Sequence, residues 1–233
     1  MIVLIRIHGL YKKYGAFSVL RGLNMNVGRG AVYGFLGRNG CGKTTQLEHV
    51  AEELRRLGRE VVCTREPGGT RLAESLRAMV LDPELIMNAR TETLLYITAR
   101  ADHVARVIKP ALLAGKIVLC DRFSDSTEVY QGIVRGLPLQ AIHGLSTFAS
   151  GGLEPDLTIL LDGDPDLLAA RRALRGVEDR YENAGLEFQK KVRDGFMLLA
   201  EKYPERIFKI NALQDEQKVT AEIMRVINTT IKI

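Results

Sequence analysis

Residues 37–44, Gly-Arg-Asn-Gly-Cys-Gly-Lys-Thr, have the spacing G-x-x-x-x-G-K-[ST] of a loop that wraps phosphate oxygens in backbone N–H groups. Glycines at Gly37, Gly40 and Gly42 let such a loop curl at the start of a helix, whose dipole adds positive potential. Lys43 is placed to reach β- and γ-phosphates, and the Thr44 hydroxyl to ligate Mg²⁺. The pattern assigns Gly37, Arg38, Asn39, Gly40, Cys41, Gly42, Lys43, Thr44 and Thr45 to a bound nucleoside triphosphate, with ATP and Mg²⁺ expected. An apolar strand-like run precedes the loop and the helical "KTTQLEHVAEELRRL" follows it, the context such a loop requires.

Phosphoryl transfer also needs cations around the moving group and exclusion of water. Three later stretches supply suitable residues. "TREPGGT" presents Arg65 and Glu66 after a strand. "CDRFSDSTEVYQG" offers Asp121 for Mg²⁺ or its waters and Arg122 for bidentate phosphate binding. "ARRALRGVEDRYE" gathers Arg171, Arg172, Arg175 and Arg180 in a polar segment suited to a closing lid, expected over about 171–185. On pattern alone, Arg171 and Arg172 read equally well as a solvated helix face. Asp162, closing "LTILLD", rivals Asp121 for the metal, but its place before Pro165 suits a helix cap better.

These residues need a scaffold. Short apolar runs at "VYGFL", "EVVCT", "KIVLCD", "LTILLD" and "RIFKI" alternate with helical segments over 43–57, 70–80, 91–114, 138–149, 165–175, 186–202 and 216–228. Gly58, Gly115 and Gly185 mark helix ends or turns. The alternation predicts an α/β P-loop fold, a doubly wound five-stranded parallel sheet with ligands at the carboxyl ends of its strands. Residues 1–31 differ in texture. "IVLIRI" and "LNMNV" read as two strands joined by a long turn, an N-terminal β-ribbon that must lay its apolar face on the main core or on a partner chain. The expected division is therefore 1–31 and 32–233.

Composition is consistent with one core and a small anionic substrate. The chain has 233 residues, 46% of them hydrophobic, which suits one sizeable domain rather than two. Lysine and arginine number 33 against 28 acidic residues, but the two signs are interspersed, so small anions are expected before nucleic acid. Cys41, Cys63 and Cys120 are unevenly spaced within or beside apolar segments, as in a reducing cytoplasm. His8, His49, His103 and His143 lack metal-ligand spacing, and no apolar run approaches membrane-spanning length.

From about residue 32 onward the ordered motifs "REPGGT", "LLYITARADHVARVIKPAL", "DRFSDSTEVYQG", "LEPDLTILLD" and "DRYENAGLEFQKKVRDGF", with the phosphate loop, resemble those of thymidylate kinases. The resemblance implies transfer of the γ-phosphate of ATP to thymidine monophosphate with Mg²⁺, by a cytoplasmic homodimer. It implies that Tyr96 stacks on thymine and that Arg100, one helical turn on, contacts the base and phosphate region. On pattern alone Tyr96 reads also as core. Arg122 matches the arginine holding the acceptor phosphate, Thr127 and Gln131 match polar residues near the base, and Tyr130 matches a tyrosine that favours deoxyribose. Arg175 and its neighbours match a basic lid. Lys43, Asp121, Arg122 and Arg175 would carry the transfer. The acceptor phosphate, with a pKa near 6, needs no general base.

Upstream, "IRIHGLYKKYGAFSVLRGLNMNVGRGAVYGFLGRNGCGKTT" resembles the opening of an ABC-type ATPase, in which an aromatic at the place of Tyr14 stacks on adenine. Strand packing is the alternative for Tyr14. The rest of that machine is missing: there is no "LSGGQ", and Gly163 follows Asp162 where a glutamate is expected. The two resemblances together suggest a chimera, natural or engineered. Thymidylate kinases usually carry a carboxylate at the place of Asn39, beside the acceptor's 3′-OH. The neutral asparagine is expected to weaken acceptor use on the order of tenfold or more in kcat/KM. Two alternatives stay open: a scaffold that binds ATP with little turnover, and a kinase for another nucleoside monophosphate.

Overall fold

The computed structural model describes residues 3–14, 17–28, 30–168, 181 and 185–231, with side-chain detail from residue 30 onward. Its centre is β3, Ala31–Gly37, every residue of which is buried. A strand covered on both faces needs apolar side chains on both, and "AVYGFLG" supplies them. Around it lie β4 (Val61–Arg65), β5 (Ile117–Asp121), β6 (Leu157–Asp162) and β7 (Ile207–Asn211). The order is β4-β5-β3-β6-β7 and every pairing is parallel. The predicted five strands are all present, their ends displaced by no more than about a residue or two.

The chain runs from β3 to the edge strand β4, returns through β5, and then crosses to β6 and β7. Its direction of winding therefore reverses at β3, which puts the ligand crevice at the carboxyl end of that strand. Helices α1 (Lys43–Arg56) and α8 (Glu216–Ile231) cover one face of the sheet. Tyr33, Phe35, Leu119, Ile159 and Leu161 pack there with Val50, Leu54 and Ile223. On the other face Val32, Val118 and Cys120 meet Val104 and Ile108, while Leu36 and Leu160 meet Val129 and Phe196. Alternate residues of β3 thus feed opposite layers, as the two-residue period of a strand requires.

Between β4 and β5 lie α2 (Arg71–Leu81) and α3 (Ala89–His103). Their N-caps are Thr70, which accepts from the Ala73 N–H, and Asn88, which accepts from the Thr91 N–H. The single helix expected over 91–114 is instead α3, a π-helical stretch at Val104–Ile108 and α4 (Lys109–Leu113). Pro110 cannot donate to the carbonyl four residues back and crowds it, and a widened turn immediately before it relieves that conflict. A helical segment that the sequence did not suggest follows β5: α5 (Ser124–Thr127) and a second π stretch, Glu128–Val134. Ser, Asp and Thr compete for backbone groups and disguise a helix start, but burial of Phe123 and Val129 holds it. Helix α6 (Leu139–Ser150) and helix α7 (Gly185–Lys202) complete the described set. Residues 165–168 are helical, and the remainder of the expected helix over 165–175 lies outside the described residues.

At the N-terminus β1 (Val3–Tyr14) pairs antiparallel with β2 (Phe17–Gly28), with Tyr14 opposite Phe17. The described parts of the long turn expected between them are strand instead, and several register shifts absorb the glycine- and lysine-bearing stretch. The chain reaches β3 through Gly30, where a Cβ would stand 2.6 Å from the Lys116 carbonyl oxygen and 2.8 Å from Leu112 Cα. Among the described residues no helix is long and apolar enough to cross a membrane.

Candidate active site

At the end of β3 the backbone turns through Gly37, Gly40 and Gly42, whose φ values of 135°, 88° and 84° are disfavoured for residues bearing a Cβ. Gly42 is the N-cap of α1 and provides no side-chain acceptor, and the first turn carries no acidic residue. The first N–H groups of α1 therefore face the crevice without a side-chain partner at the cap, the arrangement that favours phosphate oxygens. Asn39, Gly40, Gly42, Lys43, Thr44 and Thr45 line an open cavity of about 250 Å³. Lys43 is almost fully buried, and its Nζ donates to the Arg38 carbonyl oxygen at 3.1 Å.

Two residues of the loop turn away. The Arg38 side chain is buried against α7, where Nε donates to Gln189 Oε1 at 3.1 Å, and it does not line the cavity. Cys41 is packed in the core beneath α1, with its sulfur facing Gly37. The spacing pattern specifies the backbone curl, so it assigned these two positions to the nucleotide without distinguishing their outward-turning side chains from the loop's N–H groups.

Across the cavity stand Arg65, Glu66, Tyr96, Arg100, Asp121, Arg122, Thr127, Tyr130 and Gln131, every residue singled out from the downstream motifs apart from the lid arginines. Arg122 links the two sides. Its Nη2 donates to Asn39 Oδ1 at 2.7 Å and its Nη1 to the Tyr130 hydroxyl at 3.3 Å, with the guanidinium 5.2 Å from the centre of the Tyr130 ring. The backbone of Arg122 is left-handed, φ 68°, and its N–H is held by the Phe35 carbonyl at 2.9 Å. A non-glycine residue in that conformation is strained, and such strain concentrates at functional sites.

Glu66 was expected to face the ligand. It lines the cavity and is nearly inaccessible, its carboxylate accepting from Arg100 Nε at 2.8 Å and lying 3.2 Å from His103 Nδ1. Arg100 also donates to Ser146 Oγ at 3.2 Å and Thr127 Oγ1 at 2.9 Å. Gln131 donates to Glu92, which also pairs with Arg135. Sequence reasoning missed Arg77 of α2, whose Nη1 donates to the Pro67 carbonyl, and missed Phe123, Ser126 and Tyr181 on the cavity wall. Arg77 had a faint signal, being an arginine on an otherwise amphipathic helix just after "REPGGT".

The cavity owes its charge to arginines and Lys43. Burial pushes the Tyr96 hydroxyl up to about 12, against the opposing hydrogen bond with Tyr181, and burial raises Tyr181 further. Both phenols are therefore neutral at pH 7, joined by a hydrogen bond of 3.1 Å. Burial followed by the charge of Arg65 lowers Arg77, though an arginine remains charged under any working condition. Arg65, Arg77, Arg100 and Arg122 surround a space that suits a doubly charged phosphate.

Asp121 Oδ1 is buried with no hydrogen-bond partner among the described residues, and Thr44 lines the same cavity. A buried carboxylate oxygen and a hydroxyl form a hard donor set that fits Mg²⁺. Asp162 is paired bidentately with Arg193 of α7 at 2.7 and 3.0 Å, and among the described residues its carboxylate caps no helix N–H. Asp164 caps instead, accepting from the N–H groups of Asp166 and Leu167. Arg171, Arg172, Arg175 and Arg180 lie outside the described residues, and so does the side chain of Tyr14.

Known proteins share the fold and much of the sequence. A thymidylate kinase family profile matches residues 35–223. A thymidylate kinase of Pseudomonas fluorescens strain Pf0-1 is 50% identical over 184 residues, 78% of this chain and 88% of that protein. One from Ruegeria pomeroyi is 44% identical over 205 residues, covering 87% and 96% respectively. The crystal structure of the Ehrlichia chaffeensis thymidylate kinase superposes with a TM-score of 0.71 at 34% identity, over 85% of this chain and 99% of that one. A profile spanning most of the chain and relatives matched at this identity over most of their length show that the chain belongs to the thymidylate kinase family.

Proposed function

We propose that the protein transfers the γ-phosphate of ATP to thymidine monophosphate, giving thymidine diphosphate. One observation carries this reading: a single cavity joins the phosphate loop, with Lys43 and Thr44, to Tyr96, Arg100, Thr127 and Gln131 on the far wall, with Arg122 between them. In this reading Lys43 and the loop N–H groups hold the transferring phosphoryl group, and Arg122 holds the acceptor phosphate in line with it. Tyr96 stacks on the base and Tyr130 crowds the 2′ position. Thr44 and Asp121 would hold Mg²⁺, which supplies charge neutralisation between donor phosphates. The chain's own contribution is positioning and charge, because the acceptor oxygen is already ionised. The lid arginines Arg171, Arg172, Arg175 and Arg180 join the proposal on sequence grounds.

The test is to incubate the protein with MgATP and a panel of nucleoside monophosphates and to measure diphosphate formation. Thymidine monophosphate-dependent ADP release, lost on chelation of Mg²⁺ and in Lys43→Met, is the expected result. Stronger turnover of another monophosphate would replace the acceptor, and ATP binding without transfer would favour the scaffold reading.

Three finer readings accompany this one. Residues 1–31 form an added ABC-ATPase-like unit ahead of the kinase domain at 32–233. The profile begins at residue 35, and the Ehrlichia chaffeensis kinase is spanned almost wholly while a remainder of this chain is left over, which supports that division. A homodimer is supported by exposed Leu94 on α3 and Phe148 on α6, two helices that pack on each other, and analytical ultracentrifugation tests it. Free thiols at Cys41, Cys63 and Cys120 agree with the cytoplasm.

A further inference from the structure

Behind the cavity wall runs a chain of polar groups, half-buried at Thr64 and buried beyond it, outside the phosphate-loop machinery. Thr64 Oγ1 lies 2.6 Å from His103 Nε2, His103 Nδ1 lies 3.2 Å from Glu66 Oε1, and Glu66 Oε2 accepts from Arg100 Nε at 2.8 Å. Arg100 then reaches Thr127 Oγ1 at 2.9 Å and Ser146 Oγ at 3.2 Å. His103 is wholly inaccessible, Arg100 is 2% exposed and Glu66 is 5% exposed. Because a carboxylate can only accept, the pairing requires Nδ1–H to donate to Glu66 and leaves Nε2 to accept the Thr64 hydroxyl proton in the neutral imidazole.

The sequence of hydroxyl, imidazole and carboxylate is that of a nucleophilic triad, but the surroundings exclude that use. A Cβ on Gly69 would stand 2.6 Å from His103 Cδ2 and 2.8 Å from Thr64 Oγ1, so the backbone of Gly69 lies against this pair. The second oxygen of Glu66 is taken by Arg100. The group therefore fixes geometry rather than reacting. Glu66 is itself fixed at the β4–β5 junction, its N–H donating to the Asp121 carbonyl at 2.9 Å.

We infer that His103, with Thr64, is a positioning residue that sets the orientation of Glu66 and, through it, of the Arg100 guanidinium that the acceptor base meets. Nε of Arg100 faces Glu66, so the plane of the fork is set by that carboxylate, which can pivot once its other oxygen loses His103. The inference rests on the kinase reading above and deepens it by naming what specifies the acceptor end of the cavity.

The test compares His103→Ala, His103→Asn and Thr64→Val with the unaltered chain, measuring kcat and KM for thymidine monophosphate and for ATP, and melting temperature. Loss of one hydrogen bond to a charged group predicts a rise in the thymidine monophosphate KM of about ten- to a hundredfold in His103→Ala. The ATP KM should change less than about twofold. His103→Asn, whose amide can still donate to Glu66, should recover a large part of the loss, and Thr64→Val should show a smaller rise of the same kind. A lowered melting temperature with both KM values unchanged, equal rises in both KM values, or no rescue by asparagine would each overturn the inference. If His103→Ala fails to fold, Thr64→Val decides: an unchanged thymidine monophosphate KM there overturns it. If the unaltered chain turns over no thymidine monophosphate, the kinase reading falls and this inference with it. If it does turn over and the variants behave like it, only the positioning role is lost.

Discussion

Replacing Asn39 by aspartate should improve this enzyme. The side chain sits on the phosphate loop with Oδ1 accepting from Arg122 Nη2 at 2.7 Å, on the cavity wall where the acceptor's sugar and phosphate are proposed to lie. Asn39→Asp turns a neutral acceptor into a charged one toward both Arg122 and the 3′-OH. Charged hydrogen bonds contribute about 1.5–3 kcal/mol against about 1 for neutral ones. The site is only partly buried, so water screening keeps the gain near the lower end, about 0.5–1.5 kcal/mol. That corresponds to a rise of about two- to thirteenfold in kcat/KM for thymidine monophosphate. The expectation is smaller than sequence alone suggested, because the asparagine already engages Arg122. The assay varies thymidine monophosphate at saturating MgATP and repeats the measurement with ATP varied, where little change is expected. An unchanged or lower kcat/KM would refute the reasoning. A lower value would mean that the new carboxylate draws Arg122 away from the acceptor phosphate more than it helps the sugar.

Two further predictions concern stability. The Tyr33 hydroxyl is buried in the core with no partner among the described residues, and burial drives its pKa far upward. Tyr33→Phe should therefore stabilise the fold by about 1 kcal/mol and raise the melting temperature about 2–4 °C, while a fall would show that the hydroxyl is satisfied in solution. Glu74 accepts from the Gly69 N–H at 3.0 Å and from Arg65 at 2.9 Å. Burial alone would raise its carboxyl, but these bonds and the charges of Arg65 and Arg77 outweigh it and hold the folded pKa below the ordinary value of 4.5. Stability from a lowered carboxyl is present above the unfolded pKa and is lost as pH falls through the folded one. Melting curves between pH 5.5 and 3.5 should fall less steeply in Glu74→Gln than in the parent, and parallel slopes would count against the pairing.

What the sequence disclosed follows from how local each feature is. The phosphate loop is a run of glycines with fixed offsets, and the five strands are contiguous apolar runs, so both were legible. The side-chain directions of Arg38 and Cys41 were not legible, because a spacing rule describes backbone and says nothing of which way a side chain leaves it. The partners of Glu66, Arg100 and His103, stand 34 and 37 positions away, and no local pattern points to them. The helical segment after β5 was hidden by the turn-like composition of "SDST", and only the burial of Phe123 and Val129 reveals why it forms. Asp162 was offered as a cap or a metal rival, and its pairing with Arg193 depends on the docking of α7, which no local pattern encodes.

The strand β3 acts as a ruler between the front of this chain and its chemistry. It is fixed laterally to β5 and β6 at once, and the chain enters it through Gly30, pressed against the Lys116 carbonyl. Inserting or deleting one residue within it would shift the loop by about 3.4 Å and exchange Tyr33 and Phe35 with Val32 and Leu36 between the two layers. Any segment joined ahead of Gly30 must therefore hand over the chain in that same register.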